Sequence, residues 1–216
     1  NLNNCVIHAT VVKQDSPDDG DTSMYHIFGR LNSGGRRLTP QEIRTAVYHG
    51  NLIETIKRTN LHASWRKVFG AENDRMKDQE LILRFFAMLE TSNQYKKPMS
   101  EFLSKYAKAN QKAPQSKLDS LAGEFTGVID SFVEAIPLKQ LFRPVRGFNV
   151  AAFESCAVGL AKARRIGVTH TPQRLSELYA ELFTHGEFKD FIFASTSDVQ
   201  ITADRLKIAS DVFSKN

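Results

Sequence analysis

The run from Ile27 to Arg44 gathers the residues best suited to chemistry. Gly34 and Gly35 allow positive φ or a close approach of backbone to a ligand. Arg30, Arg36, Arg37 and Arg44 carry guanidinium groups that can make charge-assisted hydrogen bonds to phosphate oxygens. Asn32 can orient a phosphate or a metal-bound water. Thr39-Pro40-Gln41-Glu42 reads as a capping box, with Thr39 as cap, Pro40 in the first helical position and Glu42 reaching back. The unpaired amides at such a helix start lie at the positive end of its dipole and attract anions. Phosphate binding is the chemistry this spacing suggests. It equally fits a plain link between two helices, in which the glycines only turn the chain and the arginines sit in water.

Other polar residues are weighed in the same way. Arg84 lies within the apolar run Leu81–Leu89, where an unpaired charge is costly. It must therefore reach a carboxylate or the ligand pocket. Glu72, Asp74, Asp78 and Glu80 read as acids gathered at a helix N-terminus, with Asp78 and Glu80 pointing apart. A metal-dependent nuclease centre needs a general-base histidine grouped with His and Asn around a divalent ion. His8, His26, His49, His62, His170 and His185 are too scattered for that and read as surface or helix-end residues. The many phenylalanines fall at helical spacing and read as core.

The elements that position these residues are mostly helical. Cys5 to Val12 is β-like, and a strand alone is unstable. Its sheet partners are expected upstream or on another chain, so the sequence reads as the C-terminal piece of a longer protein. A short helix with Met24, Ile27, Phe28 and Leu31 follows. Ile43, Val47, Ile53 and Ile56 then form a stripe divided at Gly50-Asn51. Trp65, Val68 and Phe69 make a short helix ended by Gly70. Phe102, Leu103 and Tyr106 mark another. From Leu118 to Ile136 the steps of three, four and one predict a long amphipathic helix. Pro137 and Pro144 bracket a break, and helices are expected at Val150–Ala163, Pro172–Phe183 and from about Thr202 to Phe213.

A formal charge of +5 and a pI near 9.2 permit contact with a polyanion without requiring it. Two cysteines, Cys5 and Cys156, imply no disulfide framework and fit free thiols in a reducing, cytoplasmic setting. No apolar stretch reaches the length of a membrane span.

The string Ile27-Phe28, Arg30-Leu31-Asn32-Ser33-Gly34-Gly35, Leu38 and Gln41-Glu42-Ile43-Arg44 resembles the second signature of the N-terminal domain of GmrSD-type, modification-dependent restriction endonucleases. Trp65-Arg66, Arg75-Met76-Lys77-Asp78, Glu80-Leu81, Leu83-Arg84-Phe85-Phe86-Ala87 and Arg205-Leu206-Lys207-Ile208-Ala209 continue the likeness. The resemblance implies a mainly α chain, a multi-helix bundle with a short N-terminal β-segment left over from a ParB-like α/β domain. Residues 1–50 would be the C-terminal part of that nucleotide-binding domain and 51–216 a helical domain. It further implies a phage-defence protein that binds or hydrolyses a nucleoside triphosphate with magnesium. Arg30, Asn32, Gly34, Gly35, Arg36, Arg44 and Arg84 would be the phosphate-binding set. The family's first signature, Asp-Gly-Gln-Gln-Arg, does not occur in these 216 residues. The fragment alone is therefore expected to be inactive, to require no cofactor, and to depend on the missing N-terminal part of the same protein. DNA and a second copy of the chain are further candidate partners, and a non-enzymatic DNA-binding or scaffold module is the alternative reading.

Overall fold

Thr39 decides where the first helix begins. Its hydroxyl accepts the Glu42 amide at 3.2 Å, and the Glu42 carboxylate takes the Thr39 amide in return, so both halves of the capping box are made. The protein is described here by a computed structural model covering residues 37–215, together with Ile27, which is helical. The β-like segment at Cys5–Val12 and the rest of the short helix around Ile27 lie outside the described residues.

Helix α1 (Pro40–Val47) is followed by α2 (Asn51–Asn60), with Gly50 at the junction. A Cβ on Gly50 would come within 2.5 Å of the Gln111 carbonyl oxygen, so the close approach of these two segments needs glycine. The chain continues through α3 (Ala63–Phe69), α4 (Lys77–Thr91), a 3-10 turn at Ser92–Gln94 and α5 (Met99–Asn110). The long α6 (Gln115–Ala135) carries the predicted periodicity: Leu118, Leu121, Phe125, Val128, Ile129 and Phe132 are all buried. After the proline-bracketed break come α7 (Val150–Arg165), α8 (Pro172–Thr184), α9 (Gly186–Phe193) and α10 (Val199–Phe213). Among the described residues there is no strand, and the architecture is a multi-helix bundle.

Helix α7 is the centre of this bundle, packed chiefly against α10 and α4. Its apolar and small residues bury nearly all round, as expected of a helix without a wide solvent face. At Gly159 a Cβ would lie 2.9 Å from the Ala209 carbonyl carbon of α10, so the bare backbone of one helix is what lets the other in. Helix α6 covers α2, α3 and α8. Aromatic rings lock these layers: Trp65 meets Phe125 at 5.3 Å and Phe153 at 5.4 Å, and Phe132 meets Phe142 at 5.3 Å and Phe213 at 5.8 Å. Each fully buried ring contributes roughly 2–3 kcal/mol of hydrophobic stabilisation.

Two features depart from the sequence reading. Helix α9 is not foreseen in it, because eight residues are too few to establish a period; it starts where the His185 ring accepts the Phe188 amide. The last helix begins earlier than Thr202, since the Asp198 carboxylate caps the amides of Gln200 and Ile201. No helix among the described residues is long and apolar enough to cross a membrane.

Candidate functional site

The start of α1 overlooks a cavity of about 460 Å³. Thr39 and Pro40 form one edge, Phe69 from the end of α3 another, and Phe148 and Val150 at the start of α7 a third. The remaining wall comes from Arg75, Lys77, Glu80, Leu81 and Arg84, in and just before the first two turns of α4. Three cations thus face the space with one carboxylate, beside an apolar side.

The polar groups of this wall other than Lys77 are held from behind. The Thr39 hydroxyl donates to the Arg75 carbonyl at 3.2 Å, and the Arg75 guanidinium meets the Glu42 carboxylate at 3.2 Å and donates to the Arg37 carbonyl. The capping box is therefore also a tertiary clamp joining α1 to the approach of α4. Glu80 receives the Arg44 guanidinium at 3.0 Å, and Arg44 is fully buried. Arg84 donates through Nε to Glu154 at 2.9 Å. Lys77 is exposed and has no carboxylate partner among the described residues, which makes it the cation most available to an incoming anion.

A second polar knot sets the register of α4. Asp78 is fully buried, accepting from Asn60 at 3.0 Å, Arg66 at 2.9 Å and the Asn73 amide at 3.2 Å. Asn60 in turn accepts from the Trp65 indole at 3.0 Å and from Arg66 at 2.9 Å. Asp78 does lie in the first turn of α4, as its place in the acidic run suggests, and it diverges from Glu80 as expected. Its role is larger than a solvated helix-end acid, because it ties α2, α3 and α4 together. Asn60 is the residue sequence reasoning missed here; a polar side chain ending an apolar-striped helix gave no warning that it would be buried.

Deeper still, Glu154 is shared by Arg84 and Arg205. Burial opposes its charge, but the two guanidinium groups overcome that and hold its carboxyl below the usual value. Arg84 therefore pairs with a carboxylate, as its apolar setting requires, and it also borders the cavity.

Of the sequence-derived phosphate set, Arg30, Asn32, Gly34, Gly35 and Arg36 lie outside the described residues. Arg44 is placed behind the wall, on Glu80, and does not line the cavity; Arg84 does. Arg75 and Lys77 join the site from the structure. Among the described residues no three His, Cys, Asp or Glu side chains gather in a way that could hold a metal ion. The wall supplies cations for an anion, and it does not supply a ligand set for magnesium. Comparison of the chain with protein families, with curated proteins and with solved structures finds no match.

Proposed function

We propose that the chain is the helical portion of a nucleotide-dependent protein of the GmrSD restriction and phage-defence type, and that the cavity beside α1 receives phosphate oxygens of a nucleoside triphosphate. The observation that carries this reading is the meeting of two sequence-distant segments, Thr39–Arg44 and Arg75–Arg84, around one basic cavity. Both segments fall within stretches that carry the family resemblance, Ile27–Arg44 and Arg75–Ala87. The positive end of the α1 dipole and the Lys77 ammonium suit an anion electrostatically, although the capping box uses the Thr39 and Glu42 amides and Pro40 has none, while Arg75 and Arg84 are kept in place by Glu42 and Glu154. The reading has magnesium arriving on the triphosphate.

Calorimetric titration of nucleoside triphosphate with magnesium tests this, on the chain joined to its native upstream residues. Binding is expected, and Lys77→Glu should weaken it about tenfold while leaving the melting temperature unchanged. A folded protein that takes up no nucleotide removes the reading.

A further inference from the structure

A larger cavity, about 600 Å³, opens between α8, α9 and the proline-bracketed segment that joins α6 to α7. It shares no wall residue with the cavity beside α1. Most of its lining is apolar, and its size falls within the ordinary range for a small-molecule site. The Tyr179 and Phe183 rings stand 4.6 Å apart in one wall. Val145 and Phe193 form part of the lining yet leave 66% and 54% of their surface in water, so apolar area remains there to be covered.

The charged groups in this wall are both cations, Arg143 and Lys189, with no carboxylate lining it. Neither has a carboxylate partner among the described residues. Arg143 is nonetheless fixed: Nη1 donates to the carbonyls of Leu138 and Leu141 at 3.1 and 2.9 Å, and Nη2 donates to Val68 at 2.8 Å. Those bonds leave Nε–H and one Nη2–H without a protein acceptor among the described residues. The cation is held by neutral groups, three carbonyls and the Phe148 ring 5.6 Å from its guanidinium carbon, so no carboxylate answers its charge among the described residues. Tyr179 is fixed as well, accepting the Phe142 amide at 2.7 Å and donating to the Gln140 carbonyl at 3.4 Å. The walls are therefore positioned before any ligand arrives.

We infer that this cavity binds a small amphipathic carboxylate, an apolar ring or chain bearing a single carboxyl group. The remaining Arg143 donors suit a carboxylate, which accepts side by side at its two oxygens. Lys189 adds a second charge at the α9 side, and the Tyr179–Phe183 wall takes the apolar body. An uncharged apolar molecule would use the rings but leave both cations unanswered, and a cationic one would be repelled.

The test titrates phenylbutyrate, and separately its neutral amide, into the 216-residue chain, reading heat and the shifts of backbone amide resonances. The acid should bind with shifts centred on α8, α9 and residues 136–149, and the amide should bind about tenfold more weakly. Lys189→Glu alters an exposed side chain, so folding is preserved; it should weaken the acid about tenfold and leave the amide unchanged. Excess nucleoside triphosphate should leave the acid's affinity unaltered, which separates this site from the cavity beside α1. Equal affinity for acid and amide, no response to Lys189→Glu, competition by triphosphate, or no binding at all overturns the inference.

Discussion

Two carboxylate–guanidinium groupings in this protein share chemistry and differ in depth. Glu154 lies fully buried between Arg205, equally buried, and Arg84. Glu42 meets Arg75 at the partly exposed edge of the cavity beside α1. In the interior, charges must satisfy one another, because removing one partner strands the other where water cannot reach it. At the rim each group keeps another partner and some access to water, Glu42 taking the Thr39 amide and Arg75 donating to the Arg37 carbonyl, so loss of the pair strands neither charge. Arg84 connects the two regimes, with Glu154 behind it and the cavity before it. The contrast assigns interior pairs to holding helices together and rim pairs to presenting charge.

The sharpest way to break that contrast is at Glu154. Glu154→Ala leaves Arg205 buried without its carboxylate, and a loss of about 3–5 kcal/mol in urea denaturation is expected. A loss under about 1 kcal/mol would mean that water or a rearranged Arg205 replaces the carboxylate, and the interior pair would then be no different from the rim pair. Acid provides a second route to the same group. The folded carboxyl titrates below the ordinary glutamate value of 4.5, so its contribution to stability is complete above that value and is lost as pH falls through the lower, folded one. Denaturation followed from pH 6 downward, at about one-unit steps, should show wild-type stability falling below the ordinary value while Glu154→Gln loses that part of the slope.

The contact between α7 and α10 gives a next, smaller effect without charge. Gly159→Ala places a methyl 2.9 Å from the Ala209 carbonyl carbon. Overpacking of this kind costs about 1–3 kcal/mol, partly offset by alanine's roughly 1 kcal/mol better helix propensity. A net loss is expected in thermal melts, because backbone atoms cannot step aside as a flexible side chain would. A variant as stable as the wild type would show that the two helices can slide apart freely.

How much of this was legible beforehand follows from the distance over which each feature is decided. Thr39, Pro40 and Glu42 specify a helix start within four residues, so the capping box is visible in the sequence and present in the fold. The α6 stripe is equally local. That Arg84 needs a carboxylate is also legible, since its neighbours are apolar. Which carboxylate it finds is not, because Glu154 lies 70 residues away and only packing of α7 against α4 brings it near. The same limit hides the cavity: Phe69, Lys77 and Phe148 meet through tertiary folding, and no spacing rule joins them. Asp78 has a familiar local explanation, acid at a helix start, which concealed its burial against Asn60 and Arg66.

The smallest effect tests the rim directly. Thr39 serves two partners, accepting the Glu42 amide and donating to the Arg75 carbonyl. Thr39→Ala removes both bonds, and a helix cap of this kind is worth about 1 kcal/mol. Thr39→Ser restores the hydroxyl and should recover most of that loss. The informative comparison is between stability and amide exchange. If the rim is a clamp, Thr39→Ala should raise exchange at Glu42 and Ile43 and also at residues 75–77, across the gap between α1 and α4. Faster exchange confined to the first turn of α1 would make Thr39 a cap and nothing more. The two segments around the cavity would then be neighbours held by Glu42–Arg75, Arg44–Glu80 and the bond from Arg75 to the Arg37 carbonyl.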